Sequence, residues 1–183
     1  MFNAVMDSVE NDWDKMIFIH SAGGCGKTFI CNTLASAVWS NGDVALCVTS
    51  SGIAALLLEG GRTAHSRFII PIPALDTSIA NIKRGTQLSQ LLLQTKVVIW
   101  DEVPMQHKNA ISCSGHIHCQ YQKLSQLLLW TKVVIWDEVP MQHKNAIDSM
   151  DQGFRDILEK DVPFGGVTVV FGGDFWQTLP VIQ

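Results

Sequence analysis

Apolar residues in this chain gather in short runs set apart by polar and glycine-rich turns. MIFIH (16–20), VALCVTS (44–50), KVVIW (96–100 and again 132–136) and VTVVFGGDF (167–175) are largely unbroken apolar runs, mostly β-branched. That is the pattern of strands covered on both faces. Between them, apolar residues recur at helical spacing. Residues 2–10 predict a short amphipathic helix. Residues 29–40, with Ile30, Leu34, Ala37 and Val38, predict a second, and 52–60 a third that stops at Gly60-Gly61. Ile147, Met150, Phe154, Ile157 and Leu158 share one face of a helix predicted over 148–160. Pro71 and Pro73 exclude a regular helix around them, so 62–86 reads as loop with a short helix near 77–83. Strands alternating with helices predict an α/β domain with a mostly parallel sheet flanked by helices.

One feature interrupts this pattern. Residues 88–111 and 124–147 are identical except for Gln94 against Trp130. Each copy reads as a helix-like LSQLLL, a strand KVVIW and a loop DEVPM, and between them lies 112–123, which has no clear periodicity. Deleting either 36-residue unit leaves one continuous pattern, so a tandem duplication explains the doubling better than two working sites. The second copy leads directly into the amphipathic helix and the strand 167–175. It is therefore the copy expected beside the chemistry. The other copy then has a hydrophobic strand to hide, and is expected at a sheet edge or across a face.

Length and charge narrow the class. At 183 residues the chain is one domain or part of a larger one. A net charge of −4 excludes a global basic field, so any nucleic-acid contact has to be local. Five cysteines, an odd count without a secreted-scaffold pattern, point to free thiols in a reducing compartment. The amino-terminal stretch MFNAVMDSVENDWDK lacks the apolar core of a signal peptide, and no apolar run is long enough to span a bilayer; no membrane partner is expected. Cys113, His116, His118 and Cys119 are poorly spaced for a tetrahedral site, so zinc is not expected.

The strongest chemical signal is SAGGCGKT (21–28) between a strand and a helix. Glycines let successive backbone N–H groups turn toward one anion. Lys27 is placed to reach the β and γ phosphates, and the Thr28 hydroxyl to hold Mg²⁺. Ser21 stands where the phosphate-loop pattern has glycine. The candidate nucleotide contacts are Gly23, Gly24, Cys25, Gly26, Lys27, Thr28 and Phe29.

VVIWDE ends an apolar strand in two carboxylates, at the sheet edge where ligands of open α/β folds sit. In the second copy these are Asp137, for Mg²⁺, and Glu138, for the attacking water; the alternative pair is Asp101 and Glu102. Gln177, in GGDFWQTLP, is a candidate hydrogen-bond partner for a γ-phosphate, in a stretch that also reads as an ordinary turn. TSSG, with Thr49, Ser50, Ser51 and Gly52, reads first as a plain helix cap and second as a phosphate grip. GRTAHSRF, with Arg62, Thr63, His65, Arg67 and Phe68, suits backbone contact and base stacking, or is a solvated loop.

Together, FIHSAGGCGKTFICNTLA, VTSSGIAALLLEGGRTAHSRF, VVIWDEVPM and PFGGVTVVFGGDFWQTLPV resemble the PIF-type (petite-integration-frequency) DNA helicases, including the Helitron-like branch. The resemblance implies a RecA-like P-loop NTPase lobe of superfamily 1B, here a partial amino-terminal lobe over 1–183. It implies ATP and Mg²⁺ as cofactors, single-stranded DNA as partner and 5′-to-3′ unwinding. It also implies roles in telomere maintenance, recombination and repair, and a nuclear location with the mitochondrion as a second possibility. By position, Lys27, Glu138 and Gln177 become catalytic; Thr28 and Asp137 hold the metal; Thr49, Ser50, Ser51, Gly52, Thr63, His65 and Phe68 lie along the DNA. The family works with a second RecA-like lobe that brings a transition-state arginine, so this stretch is not expected to unwind DNA alone. The alternative expectation is a non-catalytic fragment that binds nucleotide or DNA.

Overall fold

Both copies of the repeated strand enter one sheet, side by side. The structure, a computed structural model, describes residues 2–11, 14–68, 86–101, 130–141 and 144–174. Within them the strands are β1 (Met16–His20), β2 (Val44–Thr49), β3 (Arg62–Thr63), β4 (Thr95–Asp101), β5 (Val133–Trp136) and β6 (Thr168–Gly173). They form one sheet in the order β1-β6-β5-β4-β2-β3, and every pairing is parallel. β4 and β5 pair each residue with its own duplicate: Val97 with Val133, Val98 with Val134, Ile99 with Ile135 and Trp100 with Trp136. Identical apolar sequences in register put identical side chains on the same face, so neither face is spoiled by the doubling.

The helices are α1 (Phe2–Asn11), α2 (Lys27–Ser40), α3 (Gly52–Ala55), α4 (Ala64–Phe68), α5 (Gln87–Leu93) and α6 (Lys144–Leu158). On one face of the sheet, Val97, Ile99, Val133, Ile135 and Val170 pack with Val5 and Val9 of α1 and Cys31, Leu34 and Val38 of α2. On the other, Val98, Trp100, Val134, Trp136 and Val169 pack with Leu92 of α5 and Met150 and Phe154 of α6. Helices on both faces account for the lack of alternation in β2, β4, β5 and β6, which are largely dry on each side; MIFIH, expected to be covered likewise, leaves Met16 and Phe18 exposed because β1 is an edge strand.

Several expectations change. The first repeat copy is not at an edge: β4 lies between β2 and β5, with Val97, Val98 and Ile99 all buried. Both of its faces are apolar, and only an interior position covers both and pairs both rows of backbone groups. The edges are instead β1, whose residues alternate between exposed and half-buried, and the two-residue β3. The third helix stops at Ala55 rather than running to residue 60. The Asn32 amide donates to the Leu57 carbonyl at 3.0 Å and accepts from the Glu59 N–H at 3.0 Å, and these bonds hold the chain in turns instead. GRTAHSRF is not a loop but β3 followed by α4, with Thr63 Oγ1 accepting from the Ser66 N–H. The helix predicted over 148–160 is Lys144–Leu158. The helix expected near 77–83, the second LSQLLL and the stretch 112–123 lie outside the described residues.

Candidate nucleotide site

β1 delivers the chain to the carboxyl edge of the sheet, and the glycine-rich loop turns there into α2. Gly24 (φ 78°) and Gly26 (φ 83°) take the left-handed conformation that a side chain would strain. The Ser21 N–H donates to the Gly173 carbonyl at 3.2 Å, and the Cys25 N–H to Ala22 at 3.3 Å. Gly26 caps α2 without a side-chain hydrogen bond. The helix therefore begins with backbone amides alone, the arrangement an anion recognises. Lys27 and Thr28 are half-buried and Phe29 is 74% exposed.

The second copy supplies the acid. β5 ends at Trp136, and the Asp137 N–H still donates to the Trp100 carbonyl at 3.0 Å, so the ladder carries Asp137 to the sheet edge. Glu138 then takes φ 61°, a left-handed conformation unusual for a residue with a side chain. Its N–H donates to Asp137 Oδ1 at 2.9 Å. With the backbone turned this way, both carboxylates reach Lys27: Nζ lies 3.6 Å from Asp137 Oδ1 and 3.7 Å from Glu138 Oε1. These are ion-pair distances, longer than hydrogen bonds. Among the described residues, Lys27 Nζ and Ser21 Oγ are buried and make no hydrogen bond. A buried ammonium with unused donors, beside uncapped amides and two carboxylates, fits a magnesium-bound polyphosphate. Beneath the loop is a cavity of about 70 Å³ whose lining includes Ser21, Lys27, Cys31, Asp137 and Gly172.

β6 ties the two halves of the site together. Asp174, buried, accepts from the Gly23 N–H at 3.2 Å. A Cβ on Gly172 would overlap the Asp137 carboxylate, and one on Gly173 would overlap the Pro140 ring. In sequence, Gly-Gly-Asp reads as a possible turn. Its value lies in clearance for a segment some 35 residues earlier, which only the sheet order reveals; the Gly-Gly pair at a strand end was the available hint.

Asp101, from the first copy, stands abreast of Asp137 one strand further along, paired with Thr49. It is the largest charge acting on the Cys31 thiol after burial itself. Glu102 and Gln177 lie outside the described residues. The DNA candidates sit beyond β4. Thr49 Oγ1 donates to the Ser51 carbonyl at 2.7 Å, and Ser51 Oγ accepts from the Ala54 N–H at 3.1 Å, so Ser51 caps α3. Ser50 is half-buried and Gly52 opens α3. Thr63 lies in β3; the backbones of His65 and Phe68 are in α4, and their side chains lie outside the described residues. Arg67 donates from Nη2 to the Gly60 carbonyl at 2.9 Å. Cys25, Cys31 and Cys47 are free thiols, and no cluster fit for a metal ion occurs among the described residues; Cys113, His116, His118 and Cys119 lie outside them.

Comparison with known proteins gives the family. The PIF1-like helicase family profile matches residues 1–113 and 113–183, a break that falls between the repeat copies. The ATP-dependent DNA helicase Pif1 of Psychrobacter sp. is 26% identical over 169 residues, covering 91% of this chain and 20% of its own length. The ATP-dependent DNA helicase RRM3 of Saccharomyces cerevisiae is 27% identical over 172 residues, covering 91% and 18%. Among solved structures, Pif1 helicase from Bacteroides, in complex with ADP-AlF3 and ssDNA, matches with a TM-score of 0.50 at 25% identity over 100% of this chain and 33% of that one. Pif1 helicase from Candida albicans matches with a TM-score of 0.50 at 19% identity over 99% and 33%, a likeness of fold alone. The chain thus spans about a fifth of these curated relatives and a third of these solved ones. It belongs to the PIF1-like helicase family.

Proposed function

We propose that this chain carries the nucleotide-binding lobe of an ATP-dependent DNA helicase and that the second repeat copy builds its acidic site. The observation that carries the reading is the buried Lys27 ammonium, without a hydrogen bond, facing Asp137 and Glu138 at 3.6 and 3.7 Å. On this reading Gly23 and Cys25 shape the loop through the hydrogen bonds they already make, the amides of Gly24, Gly26, Lys27 and Thr28 hold the phosphates, and the Lys27 ammonium balances the phosphate charge. Thr28 and Asp137 hold Mg²⁺, which when bound neutralises charge on the β and γ oxygens. Glu138 accepts the proton of the attacking water. Phe29 offers a face to the base, and Gln177 is assigned the γ-phosphate. Thr49, Ser50, Ser51, Gly52, Thr63, His65 and Phe68 are assigned to single-stranded DNA. The relatives' names support ATP and DNA as substrates. Movement 5′ to 3′, telomere maintenance, recombination, repair and a nuclear location go with the family reading.

A second reading has one observation in its favour. β4 separates β5 from β2, so the DNA candidates stand a strand further from the acidic pair than they would in a chain with one copy. That geometry suits a lobe that binds nucleotide without DNA-stimulated turnover. ATP hydrolysis measured with and without single-stranded DNA separates the two. The helicase reading expects hydrolysis that rises with DNA and vanishes in Lys27→Ala; hydrolysis absent in both forms contradicts it.

A further inference from the structure

We infer that Gly172 is a positioning residue for the acidic site: the absence of a side chain there fixes where the Asp137 carboxylate stands relative to Lys27. The role rests on the nucleotide reading above. In β6, Phe171 pairs with Trp136 of β5, which brings Gly172 abreast of Asp137; on its other side Gly172 pairs with Ile19 of the strand that feeds the phosphate loop. A Cβ at Gly172 would overlap Asp137 Oδ1 and lie 3.0 Å from Cγ and 3.4 Å from Cα. The oxygen it would strike is the one 3.6 Å from Lys27 Nζ, and the one that accepts from the Glu138 N–H at 2.9 Å.

Gly172 is not among the glycines with positive φ. The backbone would accept any residue, so the requirement for glycine comes from the carboxylate and not from conformation. Any side chain there turns Asp137 away from Lys27 and removes the acceptor that steadies Glu138 in its left-handed turn. Gly173 plays the neighbouring part for the Pro140 ring, so the strand end holds both the acid and the turn after it.

Thermal melts of Gly172→Ala, Asp137→Ala and the double variant test the contact without nucleotide. Gly172→Ala should lower Tm by about 5 °C. In the Asp137→Ala background, where Cγ and Oδ1 are gone, the same change should cost less than half as much. If Gly172→Ala alone fails to fold, the double variant should still melt close to Asp137→Ala. A double variant that melts far below Asp137→Ala overturns the inference. In Gly172→Ala, Mg²⁺ should lose about tenfold of its tightening of ADP binding, while ADP affinity in EDTA stays within about twofold. Equal loss with and without Mg²⁺ marks a merely structural role and overturns the assignment. If the unsubstituted chain shows no Mg²⁺-linked ADP affinity, the nucleotide reading fails, and the positioning role with it, even where the melts show the contact.

Discussion

Glu138 sits in a conformation that its side chain disfavours, and the fold holds it there. At φ 61° the cost is about 1 kcal/mol relative to a residue without Cβ. Glu138→Gly should therefore raise the stability measured by urea unfolding by up to about 1 kcal/mol, while cutting ATP hydrolysis on the order of 10²-fold or more. A variant that loses both stability and activity would contradict the account of strain. The thiols give a second prediction. Burial, with Asp101 and Asp137 nearby, pushes Cys31 up to about 12, and burial pushes Cys47 up to about 11, from an ordinary 9.0. The folded state thus holds both protons more tightly than the unfolded chain. The contribution is complete below pH 9 and drains as pH rises through 11 and 12, so Tm should fall over that range. At pH 8 a maleimide should spare Cys31 and Cys47 and label the exposed Cys25. None of this could be read from the sequence. The phosphate loop was legible because its spacing is local; a left-handed glutamate is set by what lies across the sheet.

At the scale of elements, the strands declared themselves by unbroken apolar runs, and the long helix by its 3.6-residue stripe. What the runs could not give was their order. Periodicity says that KVVIW is covered on both faces, and it says nothing about which neighbours do the covering. Helix ends are not legible in the local pattern where a distant side chain decides them, as Asn32 does for the turns after Ala55. A side chain in the middle of α6 likewise acts on a segment beyond its end. Asp151 accepts from Arg155 Nε at 3.0 Å and from the Phe164 N–H at 2.5 Å, tying the helix to the 3₁₀ turn Pro163–Gly166. Phe164 in that turn packs edge-on to Phe171 of β6, with ring centroids 5.7 Å apart. Asp151→Ala strips the acceptor from the Phe164 N–H and should cost about 1–2 kcal/mol in unfolding experiments. Asp151→Asn, which keeps an acceptor, should recover part of the loss.

The whole molecule turns on the duplicated strand. Inserting β4 next to its twin adds one strand spacing, about 4.8 Å, between β5 and β2. The sheet absorbs the insert because register and composition are the same on both sides of it. Removing residues 88–123 should let β2 pair directly with β5, bringing Thr49 and Ser51 closer to the acidic pair. The shortened chain should bind Mg-ADP as before and show a larger stimulation of ATP hydrolysis by single-stranded DNA; unchanged stimulation would mean that the spacing does not matter. The central claim is narrower, and titration calorimetry of Mg-ATP tests it most directly, with Lys27→Ala, Asp137→Asn and Asp101→Asn alongside the unsubstituted chain. A site built on the second copy predicts binding that is lost in Lys27→Ala, weakened about tenfold or more in Asp137→Asn and little changed in Asp101→Asn. Weakening by Asp101→Asn alone, or no binding by the unsubstituted chain, would contradict it.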